Sequence, residues 1–343
     1  MSENKTSIPF KIHPLEEQVQ AGLRGDFARG WEIAEELARL SPACNRAAFN
    51  RAWYEMMRGD LFKGLELLDR GRWENAFGDK PLPTNKPIYR NENLKDKNLL
   101  LCAEGGLGDE IINVRFAKDF ADLGAKVTVT CDPSLKSVFA RVPGVSAVVG
   151  HKAAPEVYHD YWVPGMSAAR VLEYNYKKLT GTPYLFADPE FSQKWKNLFA
   201  QNFPTDGALK IGLRFYGNQK FEHEQHRRFP IQGLIDAVSP HKWVSLQKED
   251  TPLPLETWED TLAAISQLDL VITSCTSVAH AAAALGKPTW VLVPILPYYV
   301  WALPGETSPW YKSVRLFRQK KFGEWDNVFA EINAALLSLK GKP

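Results

Sequence analysis

The sequence predicts an α/β protein in which two parallel-sheet units follow a small helical region. Residues 14–70 have apolar residues at helical spacing and contain an internal repeat. From Leu99 onward, short apolar runs alternate with helical stretches, and a fresh series of the same kind begins near residue 190. Such alternation is typical of parallel sheets covered by helices. The predicted parts are a helical region over 1–70, a connecting segment over 71–97, a first α/β domain over 98–185 and a second over 186–343.

The helical region is predicted from a repeated motif. Gly25-Asp26-Phe27 recurs 34 positions later as Gly59-Asp60-Leu61, and residues 31–38 between the copies have apolar residues at helical spacing. This period is typical of tetratricopeptide helical hairpins. Because two copies are fewer than the three that normally stand alone, we expect the region to pack against the rest of the chain.

The α/β domains are predicted from short β-branched runs and longer amphipathic stretches. The first series has strands over 99–102, 126–131 and 145–149 and helices over 109–123 and 134–140. The second has a helix near 190–200, strands over 210–213 and 243–246, a helix over 261–266, a strand–turn–helix–strand unit over 268–293, a strand over 314–317 and a final helix from about 325. Ligands of such folds bind beyond the carboxyl ends of the strands. We therefore expect four turns to face one crevice, those after Cys102, Leu213, Leu246 and Ile272.

Composition and charge exclude several function classes. The chain has 343 residues, 45% of them hydrophobic, which is ample for buried cores. With 42 basic and 40 acidic side chains it has no overall field for a polyanion, so a nucleic acid is disfavoured and could bind only locally. It has neither an apolar stretch of the roughly 18 residues that a membrane span requires nor a secretory signal at its start, so we expect a cytoplasmic protein without a transmembrane segment. Four cysteines without paired spacing indicate neither disulfides nor zinc.

The turn after the first strand, residues 104–110, contains three glycines and three acids. Gly105, Gly106 and Gly108 permit a tight backbone path and the close approach of a ligand. Their spacing matches neither the dinucleotide fingerprint nor the Walker motif. Asp109 could act as a general base above the sheet edge, or it could simply cap the following helix.

Three further turns carry groups suited to phosphate. Residues 214–219, followed by Arg227 and Arg228, form a loop of cations and amides, and a guanidinium there could bind a diphosphate through paired hydrogen bonds. His223 and His226 have no other metal ligands grouped with them, so a solvated loop is favoured over a metal site. Lys248 follows the next strand and could reach a phosphate, although exposure is the default for a lysine.

The fourth turn, Thr273-Ser274-Cys275-Thr276-Ser277, opens a helix that contains His280. The first amides of a helix lack intrahelical partners and attract anions. The turn could therefore hold a phosphate, or Thr276 or Ser277 could merely cap the helix.

In order and spacing these segments resemble the glycosyltransferases related to the bacterial heptosyltransferases, in the form that carries tetratricopeptide repeats in front. The resemblance covers roughly residues 20–335, and its motifs are Leu99–Asp109, Lys210–Asn218, Trp243–Lys248, Asp260-Thr261, Asp269–Pro288, Ser308–Tyr311 and Leu316–Gln319. It implies two Rossmann-like domains of glycosyltransferase type B. It also implies inverting transfer from a nucleotide-sugar donor to a hydroxyl-bearing acceptor, which could be a glycan, a lipid-linked sugar or a protein.

The resemblance also implies roles for individual residues. Asp109 matches the general base, and Gly105, Gly106 and Gly108 match the loop on the acceptor side. The positions matched to the donor and its diphosphate are Asn218, Arg228, Lys248, Ser274, Cys275, Thr276, Ser277 and His280. Helix amides and cations can stabilise the leaving diphosphate, and no Asp-x-Asp motif stands at a strand end. We therefore expect a metal-independent reaction without a cofactor, since the nucleotide sugar is a substrate.

One departure from the family leaves alternatives open. Cys275 stands where the family usually has an aspartate, and a thiol cannot accept hydrogen bonds from sugar hydroxyls as a carboxylate does. A binding protein that has lost catalysis is one alternative, and a nucleotide-sugar epimerase or hydrolase is another. Among the aromatic residues, Tyr298 and Tyr299 are the candidates for stacking on a sugar or base. The helical region could bind a protein partner or mediate self-association.

Overall fold

The computed structural model describes residues 13–78, 82, 86–203, 209–219 and 224–340. The first part of the predicted helical region, residues 1–12, and His223 of the second crevice turn lie outside this range. The helical region consists of α1 (Pro14–Leu23), α2 (Phe27–Leu40), α3 (Asn45–Met57) and α4 (Leu61–Leu68), followed by a 3₁₀ turn over Asp69–Glu74.

The repeated Gly-Asp pair has a structural cause. Gly25 and Gly59 end α1 and α3 with φ of +78° and +97°, in the left-handed region that favours glycine. The following aspartates cap the next helices: Asp26 accepts a hydrogen bond from the Arg29 amide, and Asp60 accepts one from the Lys63 amide. Each repeat therefore places a helix end and a helix start at one dipeptide.

The first sheet has four parallel strands in the order β3-β2-β1-β4. Its elements are β1 (Asn98–Cys102), α5 (Leu107–Asn113), α6 (Ala117–Asp122), β2 (Lys126–Cys131), α7 (Lys136–Phe139), β3 (Val145–Gly150), β4 (Tyr161–Pro164) and α8 (Ala168–Val171). The helix predicted over 109–123 is interrupted by a 3₁₀ turn over Val114–Phe116. This turn directs Arg115 toward the second sheet, where it donates to the Trp310 carbonyl.

The second sheet has six strands in the order β6-β5-β7-β8-β10-β9, parallel except for β9. Its elements are α9 (Pro189–Asn202), β5 (Ile211–Arg214), α10 (Glu224–Arg227), α11 (Ile231–Val238), β6 (Trp243–Ser245), α12 (Trp258–Ser266), β7 (Leu270–Ser274), α13 (Ser277–Ala284), β8 (Thr289–Val293), β9 (Thr307–Ser308), β10 (Tyr311–Arg318) and α14 (Asp326–Lys340). Strands β7 and β8 are buried along their whole length, as expected of strands covered on both faces.

One hydrophobic core joins the helical region to both sheets. It includes Met56 and Leu65 of the helical region, Leu99 of β1 and Val291 of β8. The helical region thus packs on the α/β part, as its small number of repeats predicts. The predicted fold class is confirmed: the chain is a mixed α/β protein with two parallel sheets behind a helical region. Among the described helices, none is both long and apolar enough to cross a membrane.

Candidate functional site

The carboxylate of Asp109, in the glycine turn after β1, accepts hydrogen bonds from two sides. Gly105 has a φ of +71°, and a Cβ there would lie 2.4 Å from Asp109 Oδ2, so glycine is required. The Gly106 amide donates to Oδ2 at 2.8 Å. The hydroxyl of Tyr298, from the loop after β8, donates to Oδ1. Asp109 therefore lies where the two sheets meet, and Tyr298 contacts it by a hydrogen bond.

The helical region supports the same turn. Arg72 makes two hydrogen bonds to Glu104, of 2.7 and 2.9 Å, in the paired geometry that favours arginine. The Gly105 amide donates to the Phe77 carbonyl at 2.7 Å. Residues that follow α4 thus fix the turn that carries Asp109.

Helices α5 and α13 are in direct contact across the crevice. A Cβ on Gly108 would lie 3.2 Å from His280 Cδ2 and 3.6 Å from Ser277 Cα. Glycine at position 108 therefore allows the two helix starts to approach each other closely. The structure brings together seven of the residues selected from the sequence, Gly105, Gly106, Gly108, Asp109, Ser277, His280 and Tyr298.

The turn after β7 is buried and is contacted by Arg227, which the sequence analysis placed in the cation loop but did not assign to the donor. Arg227 donates hydrogen bonds to the Cys275 carbonyl and to the Glu224 carboxylate. The same carboxylate accepts a hydrogen bond of 3.1 Å from the Gly217 amide. Arg228, which was selected, is exposed. In the part of the chain that the structure describes, the buried Ser274 hydroxyl has no hydrogen-bond partner, and the Thr276 side chain does not cap α13 although it occupies the cap position.

A buried aromatic group surrounds Cys275 and His280. Trp301 donates from Nε1 to Cys275 Sγ at 3.1 Å and stacks on His280 with ring centroids 5.2 Å apart and planes at 3°. His280 Nδ1 lies 3.2 Å from the Tyr311 hydroxyl. Burial raises the pKa of the Cys275 thiol, so the thiol is protonated and a nucleophilic role is disfavoured. The Cys275 side chain is therefore a neutral, buried group packed against Trp301.

Burial, with smaller effects of Arg115 and Arg227, lowers the pKa of His280 to about 3. In the unfolded chain this imidazole titrates near its ordinary value of about 6.5. Between these values the unfolded state binds a proton that the folded state excludes. The free energy of unfolding therefore falls as the pH decreases through this window, by up to about 1.4 kcal/mol per pH unit.

Replacing His280 with glutamine is expected to flatten this pH dependence between pH 6 and pH 4. Urea unfolding at several pH values measures the free energy of unfolding and therefore its dependence on pH. His13→Gln, at an exposed position, provides a control for the loss of a histidine elsewhere in the chain. An equal slope in wild type and His280→Gln would contradict the argument.

Three selected residues remain, Lys248, Asn218 and Tyr299. Lys248 is exposed and donates to the Glu256 carbonyl at 2.9 Å, and Asn218 is exposed as well. Tyr299 is buried, with its ring 4.7 Å from that of Tyr298. Across the described parts of the chain, no group of three or more His, Cys, Asp and Glu side chains could hold a metal ion.

Two arginines besides Arg227 make contacts around the site: Arg214, which the sequence analysis placed in the cation loop without assigning it to the donor, and Arg115, which it did not select. Arg214, at the end of β5, donates to the Leu246 carbonyl at 3.0 Å, and burial lowers the pKa of its guanidinium. Arg115 bonds to Tyr184 and packs over the ring of Tyr311 at 4.5 Å. A cation at the end of an otherwise apolar strand was the available signal for Arg214. Arg115 had no local signal, because it lies inside a stretch with helical periodicity.

The chain is an α/β protein with two Rossmann-like units. The carboxyl ends of their strands face each other where Asp109 of the first unit lies beside the start of α13 of the second. No protein-family model matches the chain. The crystal structure of the glycosyl transferase family 9 protein from Veillonella parvula is similar, with a TM-score of 0.54 and 12% identity, covering 73% of this chain and 97% of that one. The chain therefore shares the overall fold of that structure.

Two further proteins are similar to this chain. Escherichia coli ADP-heptose LPS heptosyltransferase II has a TM-score of 0.46 and 13% identity, with 71% of this chain and all of that chain covered. Protein FlbA of Caulobacter vibrioides is 25% identical over 393 aligned positions, which cover 91% of this chain and 64% of FlbA. The chain thus spans less than two thirds of the length of this curated relative.

Proposed function

We propose that the protein is an inverting glycosyltransferase that moves a sugar from a nucleotide-sugar donor to a hydroxyl-bearing acceptor. One observation carries the proposal: the Asp109 carboxylate of the first unit lies beside the start of α13 of the second, where Gly108 contacts Ser277 and His280. A base and an anion-binding helix start on opposite sides of one crevice are the two groups that this transfer requires. The fold class, shared with the family 9 structure, is consistent with it.

In the proposed reaction, Asp109 accepts the proton of the acceptor hydroxyl as its oxygen forms a bond to the anomeric carbon. The bond from that carbon to the donor phosphate oxygen breaks, and the leaving nucleotide takes its electron pair. The first amides of α13 and the guanidinium of Arg227 then stabilise the new negative charge. In this scheme no step requires a metal ion or a cofactor. Attack from the side opposite the leaving group inverts the anomeric centre.

The donor site proposed here requires a small separation of the two units. Gly108 lies within contact distance of the α13 start, so a phosphate can enter only when α5 and α13 move apart. Acceptors of three kinds remain part of the proposal: a glycan, a lipid-linked sugar or a protein. The helical region would recruit a protein partner or a second copy of the chain.

A second candidate function is a binding protein without catalysis. The burial of Cys275 beneath Trp301, at a position where the resembling family has a carboxylate, favours it. The two functions differ in one measurable property, because only a transferase releases free nucleotide from a nucleotide sugar when the acceptor is present.

The donor site is tested with paired arginine variants. Calorimetry and thermal-shift assays against UDP, GDP, ADP, CMP, dTDP and their sugar conjugates, with magnesium or with EDTA, should identify a nucleotide that binds without metal. Arg227→Ala is expected to weaken its binding about 10- to 100-fold, because a charge-assisted hydrogen bond contributes about 1.5–3 kcal/mol. Arg228→Ala, in which an exposed neighbour is removed, should change the affinity less than about threefold.

Arg227→Lys separates loss of charge from loss of the contact to the Cys275 carbonyl, and Tm measurements show whether each variant is folded. Stronger weakening by Arg228→Ala than by Arg227→Ala would contradict the assignment of Arg227. Binding of no nucleotide by the wild-type protein would overturn the transferase proposal and favour the binding protein.

A further inference from the structure

We propose that Tyr298 is a positioning residue for Asp109, and that the helical region holds Tyr298 in place. The catalytic consequence rests on the proposed function, whereas the structural coupling does not. Tyr298 and Asp109 are 189 positions apart in the sequence and belong to different sheets, yet the Tyr298 hydroxyl donates directly to Asp109 Oδ1.

The two oxygens of Asp109 receive hydrogen bonds from different sources. The Gly106 amide bonds to Oδ2 within the glycine turn, and Tyr298 bonds to Oδ1 from across the crevice. Donors on both oxygens fix the rotation of the carboxylate and favour its ionised form. An acceptor hydroxyl that approaches Asp109 must then lie beside or replace the Tyr298 hydroxyl.

Tyr298 remains a donor over the whole working range of pH. Burial, and next the charge of Asp109, raises the pKa of Tyr298 well above its ordinary value, and burial likewise raises the pKa of Tyr299 and Cys275. These three groups therefore stay neutral while Asp109 titrates. The pKa of the His280 imidazole on α13 is about 3, so a His280→Gln variant identifies any titration that belongs to His280.

Two charged pairs lie near the site. Arg227 is paired with Glu224 on the donor side. Glu110, next to Asp109 on α5, points away from the crevice and bonds to the Asp132 amide at 2.7 Å and to His151 Nε2 at 3.0 Å. A His151→Gln variant therefore identifies any titration that belongs to that pair.

The loop that carries Tyr298 lies against the helical region. Trp53 of α3 donates from Nε1 to the Pro297 carbonyl at 3.0 Å, one residue before Tyr298. On α1, a Cβ at Gly22 would lie 2.6 Å from Leu296 Cδ2, so this helix packs tightly on the same loop. A short chain of contacts thus runs from Trp53 through Pro297 and Tyr298 to Asp109.

The test compares Tyr298→Phe and Trp53→Phe with Trp31→Phe, an indole of the helical region that packs against Arg51 and Arg58. The carboxyl ¹³C signal of Asp109, assigned with Asp109→Asn, is titrated in each full-length variant. Tyr298→Phe should raise the protonation midpoint by about one pH unit, because the ionised carboxylate loses one of its two hydrogen-bond donors. Trp53→Phe should shift it in the same direction by less, and Trp31→Phe should not shift it.

Transferase assays supply the second readout. In Tyr298→Phe the acid limb of the pH–kcat profile should move to higher pH with KM unchanged. An unchanged midpoint in a folded Tyr298→Phe protein would overturn the positioning role, and an unchanged midpoint in Trp53→Phe would overturn the role of the helical region. A wild-type protein that transfers no sugar would contradict the proposed function alone, because the ¹³C titration does not depend on activity.

Discussion

Replacing Asp109 with asparagine is expected to lower kcat by about 10²- to 10⁴-fold, the usual contribution of a general base. Asparagine cannot take the acceptor proton. Its side-chain oxygen can still accept a hydrogen bond from the Gly106 amide or from Tyr298, the two donors to Asp109. Donor affinity and Tm should therefore change little. Single-turnover assays with the identified donor, together with thermal unfolding, measure both quantities.

The exposed Asp122 provides a matched control, because it is also a helical aspartate and pairs only with Lys118 among the ion pairs of the described chain. Asp122→Asn should leave kcat unchanged. If Asp109→Asn retained most of its activity but lost stability, Asp109 would be a helix-capping residue and the base would lie elsewhere.

Replacing Trp301 with alanine is expected to lower the free energy of unfolding by about 3–5 kcal/mol, the usual cost of removing a buried tryptophan. Trp301 is 0% exposed. Its loss removes the stack on His280 and the hydrogen bond to Cys275. Donor binding should weaken at the same time, because the start of α13 would lose its packing. Urea unfolding and nucleotide binding measure the two effects.

Two comparison variants show whether the loss in Trp301→Ala comes from the buried indole. Trp301→Phe keeps an aromatic ring against His280 but removes the donor to Cys275, so it should cost clearly less than the alanine variant. Trp73→Ala removes an indole that is 75% exposed and should change the free energy of unfolding by no more than about 0.5 kcal/mol. Similar losses in Trp301→Ala and Trp73→Ala would contradict the proposed packing.

The sequence predicted the parts of this fold that depend on local pattern. The buried strands β7 and β8 are continuous apolar runs, and the paired Gly-Asp motifs mark real helix boundaries at Asp26 and Asp60. Strand β4 was missed, since Tyr161–Pro164 is short and ends in proline. The break over Val114–Phe116 was missed because helical periodicity continues through it.

The candidate site was predictable at its turns but not at its contacts. The carboxyl ends of parallel strands meet at one edge, so the glycine turn and the start of α13 could be placed together. The choice between Arg227 and Arg228 depends on the helical phase of α10, a four-residue helix without a readable pattern. The contact from Tyr298 to Asp109 joins distant parts of the chain, and no local pattern encodes it. The assigned roles of the site residues stay predictions.

Arg115 lies at the interface between the two units, and its surroundings determine how this contact responds to salt. Its guanidinium contacts the carbonyls of Ile112 and Trp310, the Tyr184 hydroxyl and the ring face of Tyr311. These partners are neutral, and dissolved ions screen charge–charge attraction far more than they screen short-range contacts of a buried cation with dipoles and rings. The contacts of Arg115 should therefore persist from dilute buffer to concentrated salt, whereas the ion pair of Arg141 with Glu259, which also joins the two units, should weaken.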